Sequence, residues 1–172
     1  MRLLNEVSTF RGEVSWTRYT AFRSPLPAAL SEKMSTEFIK LNDDWNAEPN
    51  APHEAVLVKE NYVELSFFVN PWAYKGFEDE EKIALRFYGC SRCRLGDTND
   101  EGWYMGQCRF SKLAPEWGEF YEVKGDLKLS ECENDWVDVN HGEGEKHYLF
   151  YLRDNTFECD AESFKLVRLG IT

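Results

Sequence analysis

Residues 55–69 read AVLVKENYVELSFFV. Two segments of this stretch, Val56–Lys59 and Tyr62–Val69, are rich in the β-branched and aromatic residues that strands favour. Glu60 and Asn61 lie between them, and a polar two-residue connection is typical of a tight turn. The stretch therefore predicts an antiparallel β-hairpin.

The chain after this hairpin has the same character. Short apolar segments alternate with polar turns at intervals of about ten residues, a spacing typical of an antiparallel sheet. The last two segments are separated only by Asp154 and Asn155, so we expect them to pair with each other. The predicted strands are Ile83–Tyr88, Trp103–Phe110, Glu119–Val123, Tyr148–Arg153 and Thr156–Cys159.

The chain before the hairpin differs in its pattern. Residues 14–22 alternate as a strand does, and Ser24–Pro27 interrupts them. Ala28–Leu41 consists largely of good helix formers, with apolar residues at spacings of three and four. The fold class is accordingly α+β: a mainly antiparallel β-sheet, a meander or partly closed, with one N-terminal helix around 28–41. At this length we expect a single domain over 1–172.

The charge is strongly acidic. The chain has 20 Lys and Arg against 31 Asp and Glu, a formal net charge of −11. Nucleic acids and anionic membranes both attract clustered cations, so this balance argues against either as a partner. It favours a basic protein partner, although acidity can also serve solubility alone. The chain contains no apolar run of signal-peptide or membrane-spanning length, so we expect a cytoplasmic protein.

The aromatic residues are concentrated near acidic ones. Trp and Tyr dominate binding hot spots, so such neighbours predict a protein-binding surface, with core packing as the alternative. Trp72 and Tyr74 follow Pro71 at the end of a predicted strand. The densest acidic window is 116–145, with ten acids against two lysines. The residues predicted to bind a partner come from this window: Glu116, Trp117, Glu119, Tyr121, Glu122, Glu133 and Trp136.

Five cysteines include one C-x-x-C pair, Cys90 and Cys93. Such a pair can be half of a zinc site or a redox dithiol, but a structural zinc site needs four ligands and a redox dithiol usually begins a helix. The alternative is buried thiols, and we expect no cofactor and no metal. If a metal is bound, its ligands would come from Cys90, Cys93, Cys108, His141 and His147.

Three functions remain open. The leading hypothesis is a non-enzymatic, acidic protein-binding domain that captures a basic protein, because no catalytic residues are identified. In size, acidity and mixed pattern the chain is similar in type to small bacterial immunity proteins that neutralise basic toxins, a likeness that involves no specific residues. The first alternative is a small thiol- or metal-dependent enzyme using Cys90 and Cys93 or the polar loop Asp135–His147. The second is a β-sheet protein that binds a small ligand.

Overall fold

A computed structural model describes residues 35–111, 113, 116–125 and 135–171. Within these ranges the backbone is mostly strand, and every strand pair is antiparallel. The prediction of a mainly antiparallel β-sheet is confirmed, whereas the helical part of the predicted α+β class is small: the helix in the described residues, Asp100–Tyr104, has only 5 residues. The predicted strand at 14–22 and the start of the predicted helix, 28–34, lie outside the described residues. The prediction of a single domain over 1–172 stays a prediction.

The strands form two sheets rather than one meander. A six-stranded sheet has the order β1-β6-β8-β9-β5-β7, and a four-stranded sheet has the order β10-β4-β3-β2. One short helix, α1, precedes β6 in the chain. The elements are β1 (Glu37–Lys40), β2 (Ala55–Val58), β3 (Tyr62–Phe68), β4 (Glu81–Tyr88), β5 (Arg92–Gly96), α1 (Asp100–Tyr104), β6 (Phe120–Lys124), β7 (Val137–Asp138), β8 (Lys146–Tyr151), β9 (Thr156–Ala161) and β10 (Ser163–Ile171).

Both predicted hairpins are present. In β2 and β3, Val58 lies opposite Val63, and the Lys59 amide donates a hydrogen bond to the Tyr62 carbonyl at 2.9 Å. In β8 and β9, Tyr151 lies opposite Thr156. The β2–β3 turn is the predicted one, Glu60 and Asn61. In β8–β9 the Leu152 amide donates to the Asn155 carbonyl at 2.8 Å, so the two turn residues are Arg153 and Asp154, one position earlier than predicted.

The core lies between the two sheets. Because side chains alternate along a strand, every second residue of each sheet faces the other sheet. Phe67 packs edge-on against Phe150 with ring centroids 5.3 Å apart, and Phe87 packs against Phe157 at 5.2 Å. Trp45 closes one end of this aromatic core, 5.9 Å from Phe67. The arrangement is a β-sandwich.

The helix predicted at 28–41 is wrong in its described part. Residues Glu37–Lys40 are strand β1, which pairs with β6. Phe38 packs edge-on against Tyr121 and Phe110 at 5.8 and 5.7 Å. The local preference for helix is a weak energy term, and pairing with a neighbouring strand together with aromatic burial outweighs it.

The strand predicted at Trp103–Phe110 is also wrong, because this segment begins in helix α1. The Asn99 side chain accepts a hydrogen bond from the Gly102 amide at 2.9 Å, which caps the helix. Asp100 and Glu101 occupy the first turn, where negative charge is favourable. The capping residues therefore outweigh the β preference of the aromatic residues that follow.

Candidate functional site

The aromatic residues predicted to bind a partner lie mainly against the outer face of the six-stranded sheet. Trp117 stacks on Tyr151 with ring centroids 4.9 Å apart and packs against Trp103 at 6.1 Å. Tyr121 is 1 % exposed, and its hydroxyl donates a hydrogen bond to the Glu116 carbonyl at 3.1 Å. Tyr121 is therefore packed against this sheet and is too buried to contact a partner.

Two of the predicted carboxylates are neutralised by lysines. Glu119 pairs with Lys40 at 3.0 Å. Glu122 pairs with Lys124 at 3.4 Å and with Lys146 at 3.7 Å. Their charges are largely compensated, so they contribute little to an attractive field for a basic partner. Of the other two predicted carboxylates, Glu116 is exposed and Glu133 lies outside the described residues.

Trp136 stacks on arginines. The centroid of its ring lies 4.3 Å from the guanidinium carbon of Arg92. The guanidinium carbons of Arg94 and Arg109 lie 5.9 and 5.8 Å from the same centroid. Indole faces attract cations, so Trp136 stabilises these charges. The arginines belong to a group that we call the buried ionic cluster: Arg92, Arg94, Arg109, His147, Glu158 and Asp160.

Glu158 is the centre of the buried ionic cluster and has no exposed surface. It accepts hydrogen bonds from Arg109 Nη1 and from His147 Nε2, both at 2.9 Å. Arg94 Nε lies 3.4 Å from the second carboxylate oxygen. Strand alternation places Glu158 on the outer face of β9, opposite the apolar core. A buried carboxylate is tolerated because several cations surround it.

His147 bridges the two carboxylates of the cluster. Its Nδ1 lies 2.6 Å from Asp160, and its Nε2 contacts Glu158. Burial alone would lower the pKa of His147, but the hydrogen bonds to Asp160 and Glu158 outweigh burial and raise it. Burial likewise opposes ionisation of Asp160, yet His147 and Arg92 together lower its pKa. The folded protein therefore favours an imidazolium between two carboxylates.

The raised pKa of His147 predicts that stability declines with increasing pH. This contribution is fully present below the unfolded pKa of about 6.5 and is lost as the pH rises through the higher folded pKa. We expect the free energy of unfolding, measured in urea, to fall above about pH 6.5 more steeply in the native protein than in His147→Gln. All other ionisable groups are the same in the two proteins, so the difference in slope reports the removal of His147. Equal slopes would contradict the prediction.

The cluster does not offer a reactive group to a substrate. The His147 side chain is only 1 % exposed, and both of its nitrogens are engaged by carboxylates. A general acid or base must be within reach of the proton that it transfers. Asp135, the first residue of the predicted polar loop, also contacts the cluster, through Arg94 at 3.2 Å. This geometry favours a structural role for the cluster.

The C-x-x-C pair lies inside the sandwich. Cys90 and Cys93 are buried there beside Cys159, which lies opposite Cys93 in the neighbouring strand. Burial raises the pKa of Cys93 to about 11 and that of Cys159 well above its ordinary value, whereas a hydrogen bond with Cys159 lowers the pKa of Cys90. The Cys93 and Cys159 thiols are therefore protonated at neutral pH, which makes them poor nucleophiles and poor ligands.

The predicted metal ligands do not converge. Cys93 faces the core, whereas His147 and Cys108 lie on the outer side of the six-stranded sheet. His141 is half-buried, and its amide binds the Cys90 carbonyl. In the described part of the chain, no three His, Cys, Asp or Glu side chains are arranged to hold a metal ion.

An open groove lies at the end of the sandwich where β3 finishes. We call it the Trp72 groove; its volume is about 290 Å³. Trp72 is 83 % exposed, the largest exposed fraction among the exposed large hydrophobic residues described. The apolar walls are completed by Ala51, Phe68 and Pro71, and the polar lining is Glu48, His53, Asp79 and Glu80.

A second groove has a volume of about 370 Å³ and is lined in part by residues of the same two loops, such as Pro49 and Asn70. Its lining includes Tyr74, Trp117 and Arg153 together with Asn46 and Asp100. Trp117 is the one predicted partner-binding residue among those that line either of these two grooves.

Comparison of the chain with protein-family models, curated proteins and solved structures found no match. Among the described residues, no helix has the length and apolar character needed to cross a membrane.

The sequence singled out Trp72 among the aromatic candidates, but it did not predict the groove or its carboxylates. The available signal was local: Asn70, Pro71 and Trp72 follow a strand, and an acidic run, Glu78–Glu81, ends the same loop. The residues on the opposite wall, Glu48 and neighbouring positions, are about twenty residues away in the sequence. Only the fold brings these two segments together.

Proposed function

We propose that this protein is a non-enzymatic, acidic binding domain of the immunity or adaptor type, which captures a basic protein partner in the cytoplasm. The observation that carries the proposal is the Trp72 groove, where an indole ring that is 83 % exposed lies beside carboxylates. Tryptophan is enriched among the residues that dominate protein-binding interfaces, and this ring lines a groove together with carboxylates.

The charge of the groove supports a basic partner. Asp79 and Glu80 are exposed and form no ion pair with any described residue. By contrast, Glu119 and Glu122 are each held by lysines. With a net charge of −11, the whole molecule would also steer a basic protein toward itself.

The proposed binding surface is therefore formed by the loops at the end of β3, whereas the sequence predicted it in the 116–136 segment. Glu116 and Trp117 stay in the proposal, because Trp117 lines the second groove and Glu116 is exposed next to it in the chain. The ring of Trp136 is engaged by Arg92, so Trp136 supports the fold in this proposal and does not contact the partner.

A peptide-display selection with the full chain as bait tests the proposal. We expect the retained sequences to be enriched in Lys and Arg, and their binding to weaken as salt rises from about 0.05 to 0.5 M, because salt screens charge attraction. The double variant Asp79→Asn, Glu80→Gln should retain fewer of them.

Glu60→Gln is the matched control. Glu60 is exposed in the β2–β3 turn, at the opposite end of β3 and roughly 20 Å away by strand rise. Retained peptides without basic enrichment, or binding that is indifferent to salt, would overturn the proposal.

A further inference from the structure

The walls of the Trp72 groove are fixed to the sandwich by backbone hydrogen bonds. Phe68 at the end of β3 donates to the Pro52 carbonyl at 2.8 Å and accepts from the Glu48 amide at 2.8 Å. Ala47 and Val69 form a further β-bridge. The 47–52 wall is thus tied to the end of β3, and Val69 at that end also donates a hydrogen bond to the Glu81 carbonyl at 3.1 Å. The groove is therefore formed before any partner arrives. A preformed site loses less ordering entropy when it binds.

The acidic wall is anchored separately. Glu81, at the start of β4, is buried and pairs with Arg168 of β10, and its carboxylate accepts a hydrogen bond from the Glu78 amide at 3.0 Å. The Glu78 carbonyl in turn accepts from the Glu81 amide at 3.2 Å. The loop is closed at its base, and Asp79 and Glu80 at its tip are exposed.

Two residues with an unfavourable backbone conformation lie in this one groove. His53 has φ of 45° and Glu80 has φ of 56°, a region that non-glycine residues seldom occupy. Residues in this conformation are often found at ligand-binding sites. Here one strained residue lies on each of the two wall segments.

The lining selects a cationic and planar group. The face of an indole ring attracts cations, and tryptophan does so best among the aromatic residues. A guanidinium group can stack flat on the ring and donate hydrogen bonds to carboxylates at its edge, whereas an ammonium group is a compact, strongly hydrated point charge. Trp72 with Asp79 and Glu80 provides both elements. The volume, about 290 Å³, suits one long side chain rather than a folded domain.

We infer that the Trp72 groove is a socket for a single arginine side chain on an exposed segment of the partner protein. The guanidinium stacks on Trp72 and donates to Asp79 and Glu80, and the methylene groups of the arginine lie against Pro71. This inference rests on the proposed function, because it identifies the group of the basic partner that the binding domain recognises.

Nuclear magnetic resonance of the ¹⁵N-labelled full chain tests the socket directly. The probes are four blocked pentapeptides, Ala-Ala-X-Ala-Ala, in which X is arginine, lysine, citrulline or glutamate. Citrulline has the shape of arginine without its charge. We expect the arginine peptide to shift the Trp72 indole signal with a millimolar Kd, the lysine peptide to bind about tenfold more weakly, and the other two to cause no shift.

Variants assign the contacts. Trp72→Ala and the Asp79→Asn, Glu80→Gln pair should each weaken binding of the arginine peptide about tenfold or more, and Glu60→Gln should leave it unchanged. Because Trp72→Ala lacks the indole signal, its binding is followed through the backbone amide signals of Asp79 and Glu80. Unchanged amide signals elsewhere would establish that each variant is folded. Equal binding of citrulline or of lysine would overturn the arginine assignment, as would shifts that do not include Trp72.

The two hypotheses fail in different ways. If the display selection yields basic peptides but these peptides leave the Trp72 signal unchanged, the proposed function is supported and the arginine socket is overturned. Selections without basic enrichment would overturn the proposed function, whatever the pentapeptides do.

Discussion

Replacing Glu158 by alanine is expected to lower the free energy of unfolding by about 3–5 kcal/mol. Glu158 is fully buried and lies within 2.9–3.4 Å of Arg94, Arg109 and His147. Removing its charge leaves several cations together in a site from which water is excluded. Their mutual repulsion and lost solvation are then no longer offset by the carboxylate. Urea unfolding followed by circular dichroism measures the change.

Two further variants define the cause. Asp154→Ala removes a carboxylate that is 67 % exposed and 3.8 Å from Arg153, so we expect a change within about 0.5 kcal/mol. Glu158→Gln keeps the shape of the side chain and removes the charge, and it should be nearly as damaging as alanine. A glutamine variant as stable as the native protein would mean that the cluster does not depend on this charge.

Replacing Phe87 by alanine should have an effect of similar size, about 3–5 kcal/mol. Phe87 is fully buried on the inner face of β4. Its ring centroid lies 5.2 Å from that of Phe157 and 5.5 Å from that of Tyr148, both in the opposite sheet. Alanine would leave a cavity between the sheets that cannot close without moving both. The loss should appear as a lower urea midpoint with a similar m-value.

Trp72→Ala is the natural comparison, since it also removes an aromatic ring. Because Trp72 is 83 % exposed, we expect a change within about 0.5 kcal/mol. A large loss at Trp72 with a small loss at Phe87 would contradict the division between core and surface described above. The same contrast makes the binding experiments interpretable, since the variants that test the groove leave the core intact.

Some of the acidic and aromatic residues stabilise the folded chain and do not form a binding surface. The Trp136 ring lies on Arg92, and the Trp117 ring stacks on Tyr151. Glu158 and Asp160 neutralise cations on the outer face of the six-stranded sheet. A count of acids along the sequence cannot separate these internal charges from exposed ones such as Asp79, because the two differ only in their neighbours in the fold.

Local patterns in the sequence determined the hairpins. The β2–β3 and β8–β9 pairs follow from β-favouring segments joined by two polar residues, which is chemistry contained within about fifteen residues of chain. The predominance of antiparallel strands and the net charge of −11 are likewise properties of the sequence itself. Each of these depends on near neighbours or on simple composition, so no knowledge of distant contacts was required.

Tertiary structure decided the rest. Residues 37–40 lie among good helix formers, yet they form a strand. They pair with the edge of β6, and the Phe38 ring packs against Tyr121. β5 was not predicted, because Arg92 and Arg94 resemble exposed residues until Asp160 and Glu158 are placed beside them. The Trp72 groove likewise exists only where two separate loops are joined to the end of β3. Burial, ion pairing and cavities are properties of residues distant in the chain and close in space, so only the folded chain defines them.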